Sequence, residues 1–421
     1  MNKRFATGNT TALVILVAVN MVFGASGGLV AGELLVQKNA HVAVAGDSIT
    51  EAKQYSRFME MYLTVCQPQL EAEVCQFGHS GERASGFLQR MDDDLKFFKP
   101  TLVTLCYGMN DGSYKAYTPA IGDAYEKPMI EIVGKLKTAG AIVVVGGPGN
   151  VDPDFLKKTN PESYNKNLQT LSETARKIAG ANGFPHADVY GAMTDVMVKA
   201  KAALGKDYDG GGDGIHPKTK GHLVMAYAFL KTMGFDGDLG TITLDLKGKA
   251  TSHGGHEIKS FANGRAEIES KRYPFCFTEA GKGILPFIPF NADLNRLTLV
   301  VRNADSANLK VNWGGQSKTF SREALERGVN LAAEFIPNPF NEAFASVDAA
   351  VQAKEEYETE MIRYTFGSLR SFKKMFNGDA ESIAAVDVLE KKSVEKWEKL
   401  DKAVKASFKP VTHAIRIERV P

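Results

Sequence analysis

Two short segments of this 421-residue chain combine residue types that can do covalent chemistry. The first is GDSIT at 46–50, which follows the apolar run HVAVA and leads into a helical stretch. Ser48 is thereby expected at the carboxyl end of a strand, with its hydroxyl exposed and its own N–H facing whatever anion forms there. A capping box accounts for the same residues, because Ser48 and Glu51 fit the pattern S-x-x-E. The second segment is DGIHP at 213–217. Three-residue spacing in a tight loop can bring the Asp213 carboxylate to one imidazole nitrogen of His216 and leave the other to face a nucleophile. Its competing readings are a solvated glycine turn or, with the adjoining DYDGGGDG, a calcium loop; that loop lacks the regular ligand positions and terminal Glu of an EF-hand. Two more loops offer donors: Asn110 in YGMND has a side-chain N–H, and Gly81 in GHSGER a backbone N–H that no side chain obstructs. Each is an ordinary turn residue alone. Together they supply a nucleophile, a base with its orienter, and donors for a developing anion.

The elements around these segments explain how they could meet. From residue 41 the apolar runs HVAVAG, EAEVCQF, TLVTLCYG and AIVVVGG, with a short candidate at 187–190, alternate with helical patterns over 57–64, 87–98, 126–138, 164–179 and 218–232. Such alternation predicts a parallel sheet covered on both faces, with function on the loops after the strands' carboxyl ends. After Gly234 the texture changes to β-patterned runs, TITLDLKG, AEIESKRYPFCF, LNRLTLVVRN and NLKVNWGG, separated by Gly, Asn and Asp turns. A small β-sandwich is expected there. Ala-, Glu- and Lys-rich helical spacing over 341–376 and 381–408 predicts a helical hairpin, and the closing THAIRIERV a strand returning to the β unit. The expected division is 1–31 as a leader, 38–236 as the α/β domain, 237–336 as the β-rich unit completed by 411–420, and 337–410 as the hairpin.

Fifty-one Lys and Arg against 49 Asp and Glu give a formal charge of +2 with no long basic run, which removes the electrostatic case for nucleic acid. A small neutral or carbohydrate-borne substrate fits better. Lys3 and Arg4, the apolar stretch 12–23 and the small residues 24–28 read as a secretory signal peptide, so the expectation is a secreted or periplasmic protein without stable membrane insertion. Four cysteines, Cys66, Cys75, Cys106 and Cys276, lack CxxC spacing, and no structural metal is expected. His253 and His256 have H-x-x-H spacing in a Gly-rich segment, and a metal there is the weaker reading. The loop GGPGN, with Gly147, follows a strand and is a candidate pocket lining, and His79, close to Gly81, is a candidate substrate contact.

GDSIT, QFGHSGER, YGMND and DGIHP, in that order between residues 41 and 232, resemble the four signature blocks of the SGNH (GDSL) hydrolase family. The resemblance covers about half of the chain. It implies a three-layer α/β/α, flavodoxin-like domain and a serine esterase that needs no cofactor. Ser48 would be the nucleophile, His216 the base and Asp213 its orienter. The N–H groups of Ser48, Gly81 and Asn110 would form the oxyanion hole, and Asp47 is a further candidate substrate contact. The second block departs from the family pattern in opening with Gln76 where Asn is usual. Acetyl esters on carbohydrates are the expected substrates by analogy; a lipase or thioesterase acting on longer chains, and an idle carbohydrate-binding or scaffold protein, are the alternatives.

Overall fold

The computed structural model describes residues 33–205, 208 and 212–420; the expected leader lies outside the described residues. The apolar runs form β1 (His41–Gly46), β2 (Glu73–Gly78), β3 (Leu102–Cys106), β4 (Ile142–Gly146) and the short β5 (His186–Ala187). All pair in parallel, in the order β2-β1-β3-β4-β5. Strands apolar on both faces need cover on both sides. That cover comes from α1 (Ser48–Glu51), α2 (Tyr55–Met61), α3 (Ala84–Leu95), α4 (Pro119–Thr138), α5 (Pro161–Asn182), α6 (Val189–Leu204) and α7 (Thr219–Thr232). Val42, Val44 and Val144 face α2, α6 and α7, whereas Ala43, Ala45, Val103 and Val145 face α3, α4 and most of α5. In α5 the buried Tyr164, Leu168, Leu171, Ala175 and Ile178 recur at three- and four-residue spacing, and Asn160 caps the helix just before Pro161. This is the three-layer α/β/α arrangement. The chain turns opposite ways from β1 and β3, so the crevice for a ligand opens at their carboxyl ends.

One helix of the α/β half was not legible in advance. The candidate strand at 187–190 ends at Ala187, because the Asp188 side chain accepts the Gly191 N–H at 2.8 Å and starts α6.

The later segment forms two sheets from β6 (Asp238–Asp245), β7 (Lys249–Ser252), β8 (His256–Ala262), β9 (Arg265–Ser270), β10 (Arg296–Arg302), β11 (Asn308–Trp313), β12 (Gln316–Ser321), β13 (Val329–Asn330) and β14 (Val411–Arg419). Their orders are β13-β10-β6-β7 and β12-β11-β14-β9-β8. Alternation sets the inward face, with Leu297, Leu299 and Val301 buried on β10 and Leu309, Val311 and Trp313 on β11. The run AEIESKRYPFCF pairs only as far as Ser270; beyond it Pro274 lacks a donor for a ladder, and Phe275 and Phe277 pack on Phe290 instead. All four cysteines are buried free thiols.

A one-way hydrogen-bond chain crosses the interior of the second sheet. Trp313 Nε1–H donates to His413 Nδ1 at 3.1 Å, which leaves the His413 Nε2–H to donate to Ser270 Oγ at 2.9 Å. Ser270 then donates to His256 Nδ1 at 2.7 Å, and His256 Nε2–H to the Leu239 carbonyl at 2.9 Å. Both ring nitrogens of His256 are engaged in this chain, and among the described residues no cluster of three or more acidic, His or Cys side chains is placed to hold a metal ion. Burial holds the His413 pKa down at about 3 from an ordinary 6.5, with His256 lowering it further. The unfolded chain therefore takes up a proton between those values that the folded chain refuses, so this stability is present above pH 6.5 and is lost as pH falls below it. Urea unfolding is expected to show on the order of 2 kcal/mol less stability at pH 5 than at pH 7 from this histidine. His413→Gln should flatten that slope; an unchanged slope would disprove the assignment.

The C-terminal hairpin has a first arm, Asn341–Thr359 continuing through Glu360–Phe366 and Gly367–Met375, and a second arm, Ala380–Ser407. It docks on the open edge of β2. Lys354 Nζ donates to the Val74 carbonyl and Glu358 Oε2 accepts the Gln76 N–H at 3.0 Å, so an ion pair one helical turn apart occupies the donor and acceptor that a bare edge strand would expose.

Candidate active site

α1 starts directly on the end of β1, and its close packing needs two glycines. A Cβ at Gly46 would stand 2.1 Å from Thr50 Oγ1, and one at Gly78 would stand 2.2 Å from the Glu51 nitrogen. Asp47 rather than Ser48 caps the helix: its Oδ1 accepts the Ile49 N–H at 3.0 Å, so the capping-box reading is corrected. Glu51 turns instead toward the neighbouring loop, where its Oε2 accepts the Ser80 N–H. Ser48 is left with a half-buried hydroxyl at the sheet's carboxyl edge.

The DGIHP loop comes to that hydroxyl from the other side. Asp213 Oδ1 accepts the N–H groups of Ile215 and His216, both at 2.8 Å, and its Oδ2 takes the His216 ring Nδ1–H at 2.8 Å. This fixes the tautomer, so His216 Nε2 is the acceptor for the Ser48 Oγ–H at 2.9 Å. Partial burial tends to raise the Asp213 pKa, but the bonds from the His216 N–H, its ring and the Ile215 N–H outweigh it and hold the carboxyl down at about 2. The loop is buttressed by the Asp152 N–H on the Gly214 carbonyl at 2.8 Å. Behind it, Thr219 Oγ1 donates to Gln54 at 3.2 Å and Tyr55 stacks on His222 and Phe229, which ties α7 to α2 and thus His216 to Ser48.

Asn110 and the 79–82 loop are also joined. Asn110 Nδ2 donates to the Glu82 carbonyl at 3.0 Å, and its Oδ1 accepts from Tyr114 at 3.1 Å. Gly81 has a φ of +74°, a left-handed conformation that favours glycine, and a Cβ there would meet nothing within 4 Å. The loop begins with the His79 N–H on the Gly46 carbonyl at 3.0 Å. Gln76, the departure in the second block, accepts the Gly78 N–H at 2.9 Å and donates to Thr359 Oγ1 at 2.9 Å, so its extra length spans to the hairpin.

The remaining candidates sit deeper. Asp47 is only 2% exposed, and burial, with Asp111 and Glu82 nearby, raises its pKa to about 7 against the opposing bond from Ile49. Gly147 is buried against Ser172, where a Cβ would stand 2.8 Å from Cα. His79 is half-buried, with Nδ1 enclosed and unpartnered among the described residues. Glu51, Glu82 and Arg90 hold the loops together, yet nothing in their spacing could have announced it.

Residues 44–224 match the family model described as GDSL-like lipase/acylhydrolase. An acetylxylan esterase of Geobacillus stearothermophilus is 23% identical over 189 residues, covering 43% of this chain and 81% of that protein. A structure described as a gut microbial diltiazem-metabolizing enzyme superposes with a TM-score of 0.71 at 20% identity, covering 91% of this chain and 98% of its own; that likeness extends the shared fold through the β-rich and helical parts. Over residues 44–224 the chain therefore carries a GDSL-like lipase/acylhydrolase domain, which makes it a carboxylic ester hydrolase.

Proposed function

We propose that the protein is a secreted serine esterase that removes small acyl groups, chiefly acetyl, from carbohydrates. What carries the reading is the unbroken line from Asp213 through His216 to the Ser48 hydroxyl, with bonds of 2.8 and 2.9 Å. In this mechanism His216 Nε2 takes the Ser48 proton as Oγ attacks the ester carbonyl. The N–H groups of Ser48, Gly81 and Asn110 hold the oxyanion. His216 then passes the proton to the departing alcohol, and a water activated by the same nitrogen releases the carboxylic acid and regenerates Ser48. Ionised Asp213 holds the ring and stabilises the imidazolium without taking a proton.

The open position of the pair supports a bulky ester donor: the His216 and Asp213 side chains are 46% and 52% exposed, so a polymer-borne acyl group can approach without entering a deep tunnel. The basic, apolar and small residues at the N-terminus support export. Among the described residues no helix is long and apolar enough to cross a membrane. The decisive comparison is a p-nitrophenyl ester series from acetate to octanoate, together with acetate release from acetylated polysaccharides. Turnover is expected to fall as the acyl chain lengthens. A preference for octanoate would replace the acetyl reading with a lipase or thioesterase, and no turnover of any ester would indicate an idle domain.

A further inference from the structure

The C-terminal hairpin reaches one loop of the site by two separate ionic routes. Residues 79–82 connect β2 to α3 and carry the Gly81 N–H. Along the first route Arg363 pairs with Glu51 Oε1, and Glu51 Oε2 accepts the Ser80 N–H. Along the second, Arg370 pairs with Asp94 Oδ1, and Asp94 Oδ2 accepts from Arg90 Nη1 at 2.6 Å. Arg90 in turn grips both carboxylate oxygens of Glu82 at 2.8 and 2.7 Å and the Phe77 carbonyl at 2.7 Å. The Glu82 main-chain carbonyl then holds Asn110 Nδ2.

These routes add to the bonds the loop makes on its own side, the His79 N–H on the Gly46 carbonyl at 3.0 Å, the Glu82 N–H on the His79 carbonyl at 3.2 Å and the Tyr107 hydroxyl on Glu82 at 2.8 Å. Ser80 and Gly81 are exposed, and the face of Gly81 where a side chain would stand is empty, so hydrogen bonds rather than packing set its position. The second route is shielded from water, with the Arg90, Glu82 and Asp94 side chains 6%, 7% and 0% exposed. Charges buried in this way hold a defined geometry, since losing any partner strands another charge. A donor to a transition-state anion needs such support, because small displacements weaken its bond.

We infer that the C-terminal hairpin fixes the 79–82 loop for the reaction, with Arg363 and Arg370 as positioning residues that never touch substrate. The inference rests on the proposed roles of Ser48 and the Gly81 N–H. Misplacing an anion donor costs the transition state more than the bound ester, so kcat falls while KM holds. Arg363→Ala and Arg370→Ala are each expected to lower kcat on p-nitrophenyl acetate by about tenfold, with KM within about twofold, and Lys at either position to restore most of the loss. The control is Lys405→Ala, which breaks a hairpin contact to Glu73, 2.6 Å, at the opposite end of β2 and should leave kcat unchanged. Melting temperatures are recorded for every variant. Unchanged kcat in both arginine variants, beside an inactive Ser48→Ala, overturns the inference and leaves the esterase site intact. A kcat loss that Lys405→Ala shares, or one that simply follows the melting temperature, also overturns it, since the hairpin would then be a general anchor. Wild-type turnover in Ser48→Ala would instead strike at the proposed site itself.

Discussion

Ser48→Ala is expected to lower kcat for p-nitrophenyl acetate by on the order of 10⁴-fold or more, with little change in melting temperature. The substitution removes the atom that would attack, while the Asp213–His216 loop keeps its three bonds, because none of them involves Ser48. Asn110→Ala provides the internal scale. It removes one donor from the proposed oxyanion hole and should cost about 10² to 10³ in kcat. The expected order, nucleophile well above single donor, belongs to acyl transfer through a serine. Equal effects of the two, or retained turnover in Ser48→Ala, would refute the mechanism.

Lys354→Met is expected to destabilise the protein by roughly 3–5 kcal/mol, measured by urea unfolding. Lys354 is fully buried, 3.0 Å from Glu60 and 2.8 Å from Glu358, and also donates to the Val74 carbonyl of the edge strand. Glu358 accepts from Trp397 Nε1 at 2.7 Å, so the pair joins both arms of the hairpin to the sheet. Removing the cation leaves a cluster of buried acids without the ammonium that offsets most of their desolvation. Burial already pushes Glu60 well above the carboxylate range and Glu355 up to about 8. In the variant these folded carboxyls hold protons that the unfolded chain gives up above its ordinary value of 4.5, so the deficit should grow as pH rises from there. Adding Glu60→Gln and Glu358→Gln to Lys354→Met should recover much of the loss, because the stranded charges are then gone. A loss below about 1 kcal/mol, or one independent of pH, would mean that the cluster is not a closed ionic seal.

The catalytic half was readable because its signals are local. The runs TLVTLCYG and AIVVVGG are apolar throughout, which marks strands covered on both faces, and the glycines at 46 and 78 answer to close contacts of the helix that follows β1. What escaped was whatever depended on a distant partner. The start of α6 is the exception, since the capping aspartate that ends the expected strand, Asp188, is local. The sequence of AEIESKRYPFCF reads as one long strand, but the docking of Phe275 and Phe277 on other aromatics cuts it short. Glu51 reads as half of a capping box, and it is Arg363, hundreds of residues away, that recruits it elsewhere.

By itself the sequence determined which residue types could do chemistry, the alternation that builds a parallel sheet, and the loops on which Ser48, Asn110 and His216 stand. Periodicity and turn chemistry operate over a few residues, so they are written in the order of the chain. The 2.9 Å approach of His216 to Ser48, the return of β14 between β9 and β11, and the docking of the hairpin on β2 were decided only in three dimensions. Each depends on two surfaces far apart in the chain burying apolar area and matching charges at once, and no spacing within either segment encodes that match.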